Sequence, residues 1–295
     1  MITNTVPKAR PYWHVDAKWI TGILLLFLLN VTFLLLILVR ATAPEQGISL
    51  LTTMLASSFS YQGGGLDTSV DVDEMKQKIA ESPNGEWQPI PGMNITVREE
   101  DIAGMTPRET RLWFFRHLAE PIYYDGEQGL ANLMTDPEKK LEVTGGLGPL
   151  GFISADTHKK LQSALAISGI VSLVFIGLLI LFSYRFGRLG SPGCVIFLAA
   201  IPGLILMILA RGWTENSGQN PPIAGEETFI TRYSQLAADV LPVVVQKALQ
   251  TYLLLVLLGL GLMLLGLVGV MFFRKQKKKL PDNTENNILP PASLP

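Results

Sequence analysis

The sequence predicts an α-helical integral membrane protein with four transmembrane helices. It also predicts a small mixed α/β or mainly α extracytoplasmic domain between helices 1 and 2. Three observations carry that expectation. Four apolar blocks, at 19–39, 161–183, 193–210 and 250–273, contain no Asp, Glu, Lys, Arg or His. About 20 apolar residues in a helix cross a ~30 Å hydrocarbon core, and a helix satisfies its own backbone where water is absent. Lys and Arg gather at one set of span ends, as the positive-inside rule requires of cytoplasmic ends. Finally, the polar block at 40–160 is long enough to fold by itself.

Composition agrees. Only 17% of the residues are charged, where soluble domains carry roughly 25%. The net charge of −1 hides a division. Segments 1–18, 184–190 and 274–295 hold ten Lys/Arg against three Asp/Glu, whereas the remaining polar parts are rich in acid. That pattern separates two compartments and gives no sign of a nucleic-acid partner. The one cysteine, Cys194, lies inside a span, so nothing outside the membrane is stapled by a disulfide.

In order along the chain, 1–18 is a cytoplasmic N-terminus and 19–39 is span one. Lys8, Arg10, Lys18 and the Ala41-Thr42-Ala43 triplet resemble a signal peptide. The apolar run is longer than a signal core of roughly 7–15 residues, and Pro44 follows the triplet, so an uncleaved anchor is expected. Segment 40–160 is the extracytoplasmic domain. Within it, Ile48, Leu51 and Leu55 share one helical face, and Pro44 is placed to start that helix. A core helix is preferred over a membrane-surface helix because the stretch lacks Lys and Arg. Gly63-Gly64-Gly65 breaks the chain, 71–81 reads as an acidic helix, 82–94 as turn-rich extended chain, and 95–98 as a short strand.

The clearest local signal is Thr106-Pro107-Arg108-Glu109. Thr at the N-cap, Pro at N1 and Glu at N3 form a capping box that starts a helix at Pro107. Its apolar face is unusually wide, with Leu112, Trp113, Phe114, Phe115 and Leu118, and Pro121 is expected to end or bend it. Gly145 to Gly151 forms a loop before span two (161–183). A cytoplasmic turn at 184–192 precedes span three (193–210), where Pro192-Gly193 and Pro202-Gly203 predict kinks. Segment 211–249 is a second extracytoplasmic stretch whose latter half is an amphipathic helix bent near Pro242. Span four (250–273) leads into the basic, then polar, cytoplasmic tail at 274–295. The two halves share a plan, but two leucine-rich spans look alike by composition alone.

Chemistry is not legible. His14, His117 and His158 are scattered without zinc-ligand spacing. Asp67, Asp71, Asp73 and Glu74 do not follow a calcium-loop pattern and read as a solvated helix start. No serine-hydrolase motif occurs. No catalytic residue, metal ligand or cofactor is therefore assigned. Three groups are singled out instead. Arg108, Arg111, Trp113, Phe114 and Arg116 are candidate partner contacts, since Trp, Phe and Arg recur at interface hot spots. Gly259, Gly266 and Gly269 are a candidate helix-packing face. Arg274, Lys275, Lys277, Lys278 and Lys279 are candidate contacts to anionic lipid headgroups. The expectation is a non-enzymatic accessory, scaffold or assembly subunit in a bacterial plasma membrane. Its partners would be the bilayer and other membrane proteins or further copies of itself. A small permease or channel component is the first alternative and an envelope sensor the second.

Overall fold

The computed structural model describes residues 13–58, 66, 70–90, 92–135, 151–183, 187–217 and 229–277. Gly63 to Gly65, the glycine loop at 145–150 and the tail beyond Lys277 lie outside the described residues. In chain order the elements are α1 (Trp13–Ala41), α2 (Pro44–Ser58), α3 (Val70–Glu81), β1 (Glu86–Trp87), β2 (Val97–Arg98), α4 (Glu99–Ile102), α5 (Pro107–Asp125), α6 (Glu127–Leu133), α7 (Ala155–Phe182), α8 (Gly187–Ser217) and α9 (Phe229–Lys277). Four of these helices, α1, α7, α8 and α9, are long and apolar enough to cross a membrane.

The described helices overrun the apolar blocks. α9 continues without a break from Phe229 to Lys277, so the amphipathic stretch and span four are one 49-residue helix. Pro242 lies inside it. α8 likewise runs unbroken through Pro192 and Pro202. A proline removes one backbone hydrogen bond, which a long helix embedded among neighbours tolerates.

The chain divides into two compact units. The first comprises Met1–Leu29, Ser172–Ala199 and Leu254–Pro295. Its buried side chains include Leu25, Leu29, Leu179 and Ile196. Here α8 and α9 meet backbone to backbone. A Cβ on Gly259 would lie 2.7 Å from the Phe197 nitrogen and 3.0 Å from the Gly193 carbonyl oxygen. One on Gly193 would lie 2.8 Å from the Met263 nitrogen. Only glycine fits such a crossing, and in lipid close packing of this kind is what holds helices together.

The second unit comprises Asn30–Val171 and Ala200–Leu253. Its core lies in the segment between α1 and α7. α2 contributes Ile48, Leu51 and Leu55, α3 contributes Met75 and Ile79, and α5 contributes Phe114, Leu118, Ile122 and Tyr123. Burying a large apolar side chain stabilises by about 1.5–3 kcal/mol, so this set is ample to close a small core. The domain is helical and not the mixed α/β fold that the sequence left open. β1 and β2 pair antiparallel over two residues each, Glu86 with Arg98 and Trp87 with Val97. Among the described residues the rest of 82–96 is turn and coil apart from an isolated bridge of Met93 with Met134, and it is pinned at its edge: the Asn94 amide donates to the Leu133 carbonyl at 2.7 Å, and the Thr135 amide to the Gly92 carbonyl at 2.8 Å. Three prolines in 82–94 leave too few consecutive donors for a sheet.

α5 starts as its capping box dictates. The Glu109 amide donates to Thr106 Oγ1 and the Thr106 amide to Glu109 Oε2 at 2.8 Å. Those bonds hold the Glu109 carboxyl below its ordinary value. α5 does not stop at Pro121 but continues to Asp125 and ends at Gly126, whose φ of +60° suits glycine. Leu118, Ala119, Ile122 and Tyr123 are buried on both sides of Pro121, which offsets the lost bond.

Candidate functional site

α5 divides the five candidate contact residues by helical phase. Phe114 is 5% exposed and sits in the core; Arg111, one turn earlier, is also 5% exposed. Both face inward with Leu118 and Ile122, so neither belongs to the free surface of this chain. Trp113 is half-buried, while Arg108 and Arg116 are exposed. The wide aromatic face is therefore two faces: one fills the core and the other rims a groove.

That groove has a volume of about 320 Å³. Leu112, Trp113 and Arg116 of α5 form one wall, and α2 forms the other with Glu45, Ile48, Ser49, Thr52 and Thr53. Thr52 Oγ1 donates to the Ile48 carbonyl at 2.7 Å, and Thr53 Oγ1 to the Ser49 carbonyl at 2.9 Å. Both hydroxyl protons are thus used within α2, and the α2 wall is less polar than its composition implies. The Trp113 and His117 rings meet at a tilt of 57° with 4.5 Å between centroids, and His117 Nδ1 donates to the Trp113 carbonyl at 2.9 Å. The imidazole thus lies against one side of the indole. Ile48, Leu112 and Trp113 give the groove its apolar lining, and Arg116 on one wall and Glu45 on the other add one charge of each sign.

The groove rests on a braced base. Tyr123 is fully buried, and its hydroxyl donates to the Thr42 carbonyl at 2.7 Å, where α1 turns into α2. Burial and the neighbouring Tyr124 push its phenol above the ordinary value. Gly47 lets the Tyr123 ring close on this corner, since a Cβ there would meet Cε2 at 2.6 Å. Thr42 Oγ1 donates to the Leu38 carbonyl at 2.8 Å and lies 3.1 Å from His158 Nδ1 of α7. One corner thus joins α1, α2, α5 and α7.

The remaining candidates fall as follows. Gly259 lies at the α8 crossing, Gly266 is buried and Gly269 is half-buried. Gly193, which the sequence marks only as half of a Pro-Gly pair, is the other side of the Gly259 contact. Gly203 plays a similar part against the Tyr252 ring. Arg274, Lys275 and Lys277 continue the helix of α9, while Lys278 and Lys279 lie outside the described residues. Among the described residues no group of three or more His, Cys, Asp or Glu converges as a metal site. Compared with known proteins, the chain matches no family model, no curated protein and no solved structure.

Proposed function

We propose that this protein is a non-enzymatic subunit of a membrane complex, acting by protein–protein contact through the α2–α5 groove. The observation that supports it best is the half-buried Trp113 beside exposed Arg116, next to Ile48 and Leu112, on a domain braced to α1 and α7. An aromatic anchor next to Arg is the composition of interface hot spots, and a braced site loses little entropy on docking. The groove fits an apolar side chain flanked by a carboxylate, presented by a partner membrane protein. In this reading α1, α7, α8 and α9 cross a bacterial plasma membrane, both chain ends are cytoplasmic, and 40–160 and 211–249 stand on the opposite side. Lys and Arg at the inner ends support that orientation.

The test is co-purification of the full-length protein from its native membrane in mild detergent. A defined partner set should accompany the wild type. The double variant W113A/R116A should lose it by at least about tenfold, as removal of hot-spot side chains costs roughly 2 kcal/mol or more, while its unfolding midpoint stays close to wild type. Retention of the same partners at wild-type yield would sink the proposal.

A further inference from the structure

Arg40 closes the apolar run of span one, and Lys247 stands just before that of span four. Each alone is an ordinary flanking cation that extends toward headgroups. The structure brings them to one place. Arg40 Nη1 donates to Thr251 Oγ1 at 2.6 Å, and Thr251 Oγ1 donates in turn to the Lys247 carbonyl at 2.9 Å. The guanidinium is thereby pinned about one helical turn from Lys247, roughly 6 Å along α9. Both cations line a shallow cleft whose other walls include Ile37, Gln46, Leu50 and Val244, with no carboxylate among its lining residues. The apolar windows Val15–Ala41 and Val240–Met271 run through both residues, so where these helices cross a membrane the cleft is open to lipid.

We propose that this cleft binds the phosphate of an anionic phospholipid. Two like charges beside a low-dielectric medium repel more strongly than in water, and an anion between them removes that cost. A guanidinium has several N–H donors and uses one here, leaving a fork suited to phosphate oxygens. The apolar walls select the source. A free phosphate would leave Ile37, Leu50 and Val244 uncovered, whereas a phospholipid covers them with its glycerol and upper acyl chain. A zwitterionic headgroup would bring its own cation against Arg40 and Lys247, which favours an anionic lipid. The inference holds whichever side of the membrane this end of the bundle occupies, and it is independent of the α2–α5 groove.

The full-length protein would be reconstituted in phosphatidylcholine vesicles doped with phosphatidylglycerol and extracted in mild detergent. Retained lipid would then be counted by mass spectrometry. The wild type should be enriched in phosphatidylglycerol. K247Q and R40Q should each lower that enrichment about tenfold, the scale of one charge-assisted hydrogen bond, and K247R should restore it. The basic tail contributes the same background to every variant. Unfolding midpoints without lipid report whether a variant folds, and K247Q leaves the Arg40–Thr251 bond untouched. Wild-type enrichment in both K247Q and R40Q would overturn the proposal. So would inorganic phosphate stabilising the wild type as well as phosphatidylglycerol does, since the site would then take a free anion.

Discussion

Trp113 and Phe114 are adjacent in sequence and opposite in role. Phe114 points into the core with Leu118 and Ile122, and Trp113 stands on the groove. Phe114→Ala should therefore cost about 3–5 kcal/mol of stability, the range for emptying a buried aromatic site. Trp113→Ala should cost about 1 kcal/mol or less, because most of its effect falls on binding. Chemical denaturation of the two variants measures the difference. Tyr123 makes a second prediction. Its folded pKa is raised above the ordinary 10.0, so its contribution is fully present below that value and is lost as pH rises through the raised one. Stability of the wild type should fall from about pH 10 upward. Tyr123→Phe should lose about 1 kcal/mol at neutral pH, the worth of one buried hydrogen bond, and its alkaline decline should be shallower. A pH series of unfolding midpoints shows both effects. The capping box at Thr106 was legible in the sequence because it is local. The split between Trp113 and Phe114 was not. Four adjacent apolar positions, Leu112 to Phe115, give a helix no single apolar stripe, so phase alone cannot say which ring faces inward until α2 supplies the other wall.

Helix existence followed from composition, and helix ends did not. The apolar blocks mark where lipid can lie, whereas a helix stops only where its hydrogen bonding stops. α9 is the plain case: its 49 residues extend about 74 Å at ~1.5 Å per residue, far beyond any hydrocarbon core. The change from polar to strongly apolar sequence near residue 249 therefore falls inside one continuous helix and does not end it. The internal prolines show the same logic: Pro121 is carried inside α5 by buried residues on either side, and Pro242 lies within the unbroken α9. Glycine roles were half legible. Gly259 stood out in a leucine-rich span, but its counterpart Gly193 was hidden behind Pro192, where a kink is the ordinary expectation. Gly259→Val should force α8 and α9 apart, because its side chain would strike Phe197 backbone. The expected result is a drop of several degrees in the unfolding midpoint in detergent. Gly261→Val should leave it nearly unchanged, since nothing lies within 4 Å of a Cβ there.

At the scale of the whole molecule, four apolar helices and one small helical core account for the described chain. Long-range joins such as the Tyr123–Thr42–His158 corner and the Arg40–Thr251 bond have no sequence signature, because each links residues more than 80 positions apart. The proposed function depends on one further property, that the groove faces the compartment opposite the basic ends. Sidedness can be measured directly. Cys194 is the single cysteine, so Cys194→Ser gives a background for single reporters at Glu100→Cys, on the domain, and Lys275→Cys, in the basic end. A membrane-impermeant maleimide would be applied to sealed right-side-out membranes. Glu100→Cys should be labelled before permeabilisation and Lys275→Cys only after it. Labelling of both from the same side would contradict the four-pass arrangement, and labelling in the reverse order would contradict its orientation; either result would remove the groove from the compartment where its partner is expected.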